Sequence, residues 1–140
     1  MTEKDDYTDE DIRFFNGALP NHAHGDFDGD DRRDHAFILI QKDEAKCGLF
    51  VLPGSGGRII KLHEMPLSRR DGKIHAGLSP VKPGRYLTAC GRGFWDCGPD
   101  EPAELELTRS GVYFFIFEGP CSIFYWNENG RRYRRVPISD

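Results

Sequence analysis

Nowhere in the 140-residue chain does an apolar run approach the roughly 18–20 residues that a membrane-spanning helix needs, so no membrane span is expected. The opening stretch MTEKDDYTDEDI has neither the basic start nor the apolar centre of a secretory leader. As written the chain therefore reads as cytoplasmic, and as periplasmic if a leader has been removed. A surplus of positive charge is also missing. With 19 Lys and Arg against 23 Asp and Glu the formal net charge is −4, which argues against nucleic acid as a partner, because phosphate attraction needs a basic domain. No segment recurs at the period of about 20–50 residues that marks solenoids and propellers, so a multi-blade array is excluded.

Catalytic signatures are absent too. The five histidines, His22, His24, His35, His63 and His75, include no H-E-x-x-H pair, and His63 followed by Glu64 is only a fragment of one. There is no G-x-S-x-G elbow, and Ser55 in PGSGG lies in a turn without strand-to-helix context. That turn is no phosphate loop either, since Gly57 is followed by Arg58, Ile59 and Ile60 in strand-like order rather than by Lys-Ser/Thr at a helix start. Glu104 and Glu106 alternate outward along one strand, as on any exposed sheet face, and do not read as a glycosidase pair. No enzyme is expected.

What the chain does have is strand chemistry. Phe, Tyr and Trp make up 12% of residues, and the apolar runs are cut by 16 Gly and 9 Pro, a combination that predicts sheet and leaves little room for long helices. The length suits one domain. The expected fold is mainly β, a single small domain of antiparallel strands and hairpins, arranged as a meander, a compact sandwich or a partial propeller-blade-like sheet. Residues 1–11 read as an acidic flexible tail and 12–140 as the domain, with the apolar patch of 12–20 docking the N-terminus. Strands are expected at HAFILIQ, CGLFVLP, RIIKLHEM, residues 85–89, AELELT, GVYFFIFEG, CSIFYWN and RRYRRVPI, the last two joined through Asn129-Gly130. Residues 67–84 read as a long surface connection with a short strand near Ile74.

The segment DFDGDDRRD places carboxylates at Asp26, Asp28, Asp30 and Asp34, positions one, three, five and nine of a tight loop. A hard cation wanting about six or seven oxygens can take these together with the backbone carbonyl of Arg32, while Gly29 permits the bend. Ca²⁺, in a structural role, is the expected ion; the alternative is an acidic solvated turn. An EF-hand is excluded, because position twelve is Phe37 inside an apolar strand rather than Glu. Gly25 to Asp34 followed by AFILI resembles the FG-GAP/VCBS type of repeat, whose pattern is G-D-F-[ND]-G-D-G-x-x-D and then a strand. The resemblance implies calcium at Asp26, Asp28, Asp30, the Arg32 carbonyl and Asp34. One position departs from it, Asp31 standing where the repeat has Gly, and a left-handed backbone there costs Asp more than Gly.

Two further constellations stand out. Cys90 and Cys97 flank GRGFWD and are disulfide candidates that would organise Trp95, whereas a zinc knuckle would need closer spacing and a nearby His. With Cys47 and Cys121 the count is four, which leaves two disulfides or buried free thiols open. The stretch FYWNENGRRYRR interleaves Trp126 and Tyr133 with Arg131 and Arg135, either an edge strand guarded by charge or a platform for an acidic protein. The partner-binding surface is accordingly expected to use Trp95, Trp126, Arg131, Tyr133, Arg135 and the 67–84 connection. The function that remains is a non-catalytic, calcium-stabilised protein-binding module, such as a bacterial immunity protein that occludes a toxin. The alternative is an exported calcium-binding β protein with disulfides.

Overall fold

Period-two alternation of apolar residues gives each strand one face to bury, and two sheets meet on those faces. The computed structural model describes residues 21–43, 45–67, 69–70 and 72–140; the expected acidic tail and the apolar patch of residues 12–20 lie outside them. The first sheet is an antiparallel run in chain order: β1 (His22–Gly25), β2 (Asp34–Ile40), β3 (Lys46–Leu52) and β4 (Ile60–Pro66). Ala23, Ala36, Ile38, Cys47, Leu49 and Val51 bury its inner face. A short ribbon, β5 (Arg69–Arg70) with β6 (Lys73–Ile74), leads to β7 (Ala76–Val81). The hairpin β8 (Gly84–Leu87) and β9 (Glu104–Leu107) is followed by β10 (Gly111–Ile116), β11 (Cys121–Asn127) and β12 (Arg132–Ser139). The second sheet has the order β12-β11-β10-β7, again antiparallel.

The described residues form an all-β sandwich with a third, partial layer. Ile38, Leu49 and Val51 of the first sheet share one core with Ala76, Leu78, Val112, Phe114 and Phe124 of the second, sealed by Phe27 and Ile74. Fully burying each of the larger aliphatic side chains contributes roughly 1.5–3 kcal/mol. The other face of the second sheet is also apolar. There Cys121, Ile123, Val136 and Ile138 pack with Leu105 and Leu107 of the β8–β9 hairpin, leaving Glu104 and Glu106 exposed as expected. Burial on both faces explains the unbroken apolar run of β10, with Val112 and Phe114 turned one way and Tyr113 and Phe115 the other.

Three expectations are corrected. Residues 67–84 are not a long surface connection: β7 pairs with β10 along its whole length, and Ala76 and Leu78 are buried core. Pro80 is tolerated there because β7 is the sheet's edge, where one side of the strand needs no partner. His22–Gly25, where no strand was expected, is a strand paired residue for residue with His35, Ala36 and their neighbours. The possibility of two disulfides is also overturned. Cys90 and Cys97 are bonded, with Cα atoms 5.0 Å apart, but Cys47 and Cys121 are buried free thiols. These two lie in different cores on opposite faces of the second sheet. Among the described residues there is no helix.

Candidate functional site

The β1–β2 connection is held together by its own carboxylates. Asp26 Oδ1 accepts from the N–H groups of Gly29 (2.8 Å) and Asp30 (3.1 Å), and its Oδ2 from Asp31 (2.9 Å). Asp28 Oδ1 accepts from Asp30 N–H at 3.2 Å and Asp30 Oδ1 from Arg32 N–H at 2.9 Å. These are Asx turns in series, which Asp at alternate positions favours. Two residues carry the left-handed backbone the bend needs, Gly29 (φ 80°) and Asp31 (φ 64°), so Asp31 does adopt the conformation in which Gly would be cheaper. Phe27 is fully buried and pins the loop to the core.

Asp34 is the loop's anchor. Its side chain is fully buried, accepting from Phe27 N–H at 2.8 Å through Oδ2 and from Gly54 N–H at 2.8 Å through Oδ1. The second bond ties the acidic loop to the PGSGG turn between β3 and β4. One oxygen each of Asp26, Asp28 and Asp34 lies within 4.8 Å of the others. Oxygens this close could hold one cation between them. Asp30 and Arg32 are exposed beside this convergence. Burial, with the charges of Asp34 and Asp30 close by, pushes the Asp28 carboxyl up to about 6.

Arg109, just before β10, clamps the loop from outside. Its Nη1 donates to the Asp28 carbonyl at 2.8 Å and pairs with Glu128 in the β11–β12 turn. The guanidinium lies flush on Gly29, where an added Cβ would come within 2.4 Å of it. The sequence gives no warning of this contact, which joins residues 81 positions apart. Tyr133 reaches the same region: burial first, then the four aspartates, raise its phenol far above the ordinary range. Trp126 packs edge-on against Tyr133, ring centres 5.2 Å apart. Tyr133 also packs on the main core.

The remaining expected partner-binding residues collect elsewhere. Trp95 is 38% exposed on the disulfide-closed loop, its Nε1 donating to Glu101 Oε2 at 2.9 Å. It borders a cleft of about 480 Å³ whose other walls include Tyr125, Arg134 and Arg135. Arg135 Nε donates to Ser122 Oγ at 3.0 Å, while Arg131 sits at the tip of the β11–β12 turn with φ 49°, taking the left-handed position that Gly130 does not. Among the described residues Arg131, Arg132 and Arg134 form no ion pair. β12 is the edge of its sheet, so edge protection and a cationic surface coincide on one strand.

A third polar group was not anticipated: His22, His24 and His35 share the outer face of the first sheet. Comparison with protein-family models, with curated proteins and with solved structures returned no match for this chain, so its functional reading rests on the geometry above.

Proposed function

We propose that this chain is a non-catalytic β domain stabilised by calcium and built to bind an acidic protein partner. The observation that carries the reading is the convergence of Asp26, Asp28 and Asp34 on one point at the end of a loop whose backbone is already fixed. Asp30 and the Arg32 carbonyl are the further ligands implied by the resemblance to FG-GAP/VCBS repeats. Calcium suits the donor set, which is oxygen throughout and supplied by a tight loop. The ion would tie β1, β2 and the PGSGG turn together without touching a substrate.

The partner surface follows from charge. On a chain of net charge −4, Arg131, Arg132 and Arg134 form no ion pair among the described residues, and Arg134 with Arg135 lines a cleft that Trp95 and Tyr125 also border. Aromatic anchors flanked by arginine are the side chains that dominate protein interfaces. In a cytoplasmic setting the relationship we propose is that of an immunity protein occluding a toxin. A second reading, the same module working outside the cytoplasm, is favoured by one observation: the Cys90–Cys97 disulfide, a bond that persists in oxidising compartments.

The test has two arms. Melting of chelator-treated protein should shift upward on addition of calcium, and this shift should vanish in Asp28→Ala. A partner recovered by cross-linking and identified by mass spectrometry should lose affinity steeply with added salt and in Arg132→Glu/Arg134→Glu, whose melting temperature stays that of the wild type. Partner affinity indifferent to both salt and charge reversal would refute the surface, and an unmoved melting temperature would refute the ion.

A further inference from the structure

β1 and β2 place three imidazoles on one exposed sheet face. In their antiparallel register His24 stands directly opposite His35 and His22 opposite Phe37, so alternation turns His22, His24, His35 and Phe37 the same way. His22 and His35 are diagonal neighbours, with nearly parallel rings 5.2 Å apart, and His22 Nε2 lies 3.0 Å from His35 Nδ1. His22 is backed by the Phe37 ring at 4.9 Å, which limits the positions it can take. The His24 ring centre is 6.1 Å from that of His22 and 6.2 Å from that of His35. β1 is the edge of its sheet, so among the described residues no strand pairs with it on that side.

Two ring nitrogens this close must share a proton or a cation. Metal–imidazole bonds are about 2.0–2.1 Å long, so two ligands at right angles on one ion sit about 2.9 Å apart and two tetrahedral ligands about 3.4 Å apart. The His22–His35 separation falls in that interval, with the two nitrogens facing each other as in a shared-proton hydrogen bond, so an ion replaces that proton as the rings turn. Imidazole nitrogen is the donor that copper, nickel and zinc prefer, whereas calcium takes oxygen, so this face and the acidic loop differ in the ions they select.

We infer that His22, His24 and His35 form a site for a divalent transition metal on the outer face of the first sheet, assembled when the His22 and His35 rings turn their facing nitrogens toward one ion and the His24 side chain rotates in. The site takes copper(II) or nickel(II) in a tetragonal arrangement, with zinc as the tetrahedral alternative and solvent filling the open positions. It differs from the proposed calcium loop in donor chemistry but adjoins it in the chain, His24 standing two residues before Asp26 and His35 next to Asp34, so the test removes the loop's contribution.

The test uses the full chain carrying Asp28→Ala, which disables the acidic loop, titrated with copper(II), nickel(II) and zinc(II) by calorimetry, with copper bound in parallel for electron paramagnetic resonance. The expected result is one equivalent bound, with nitrogen hyperfine splitting from at least two imidazoles. Loss of outer groups around metal sites alone costs about 10–100-fold, so His22→Ala and His35→Ala should each weaken binding at least tenfold. His24→Ala should weaken it less and remove one nitrogen from the spectrum. These side chains are on the surface, so circular dichroism of the variants should match the wild type. Equal affinity in the wild type and in His22→Ala/His35→Ala would overturn the assignment, and so would a copper spectrum lacking nitrogen coupling.

Discussion

Replacing Asp34 by Ala isolates the hydrogen-bonded frame of the acidic loop from any ion it holds, provided the measurement is made in excess chelator. The carboxylate is fully buried and accepts two short bonds, from Phe27 N–H and Gly54 N–H, each 2.8 Å. Removing it strands the buried Phe27 N–H, at about 1–3 kcal/mol, and costs the part-buried Gly54 bond about 1 kcal/mol more, while the cost of burying the charge disappears as well. The expected net loss is about 2–4 kcal/mol. At about 2.1 cal/mol/K of unfolding entropy per residue, a chain of 140 residues loses about 3 °C per kcal/mol, so melting should fall by about 7–14 °C. Asp34→Asn keeps the shape and one acceptor but turns an NH₂ toward the other donor, and should lose about half as much. Urea denaturation with both variants checks the numbers, since the midpoint should move while the slope stays constant. Variants within about 0.5 kcal/mol of the wild type would refute the claim that Asp34 organises the loop.

Other consequences are as direct. Gly29→Ala drives a Cβ into Arg109 and forces a left-handed alanine, so it should cost about 1–2 kcal/mol, and less once Arg109→Ala has made room; a double-mutant cycle in urea reads the coupling. His63 packs against Phe114 and Phe124, and burial followed by the nearby Arg135 charge lowers its pKa below 6.5. Its contribution is therefore present above pH 6.5 and lost as pH falls through the folded value, so stability should drop on acidification in that window; His63→Leu should flatten the drop, and an NMR titration placing His63 at or above 6.5 would contradict it. Reducing the Cys90–Cys97 bridge or replacing it with Ser pairs should cost about 2–3 kcal/mol by loop-closure entropy, read by urea melts with and without reductant, while Cys47 and Cys121 should resist alkylation in the folded protein.

The strands that sequence made plain are those whose alternation is strong. In β2, β3, β10 and β11 large apolar side chains occupy inward positions, and in β9 Leu105 and Leu107 alternate with exposed glutamates. β7 was hidden because Ala76-Gly-Leu-Ser-Pro-Val81 is small and polar in composition; its burial is imposed by β10 and β2 and not by its own hydrophobicity. β1 was hidden for a similar reason, with Ala23 as its single inward apolar residue between two outward histidines. The carboxylate convergence of Asp26, Asp28 and Asp34 was legible because all its members lie within nine consecutive positions. Arg109, Gly54 and Tyr133 could not be assigned to that site, since each arrives through tertiary contacts that no local pattern encodes. The same holds for the cleft that joins Trp95 to Arg134.

The central claim is that the loop from Asp26 to Asp34 holds calcium, and calorimetric titration of calcium into chelator-treated protein tests it most directly. A single site with a dissociation constant between about 10⁻⁶ and 10⁻³ M is expected, abolished in Asp28→Ala and left intact in His22→Ala/His35→Ala. At a hundredfold excess over that constant the ion should add about 2.7 kcal/mol, or about 9 °C in melting temperature. Wild-type protein that gives no binding heat and no melting shift at millimolar calcium would contradict the claim and leave the loop as a turn stabilised by its own carboxylates alone.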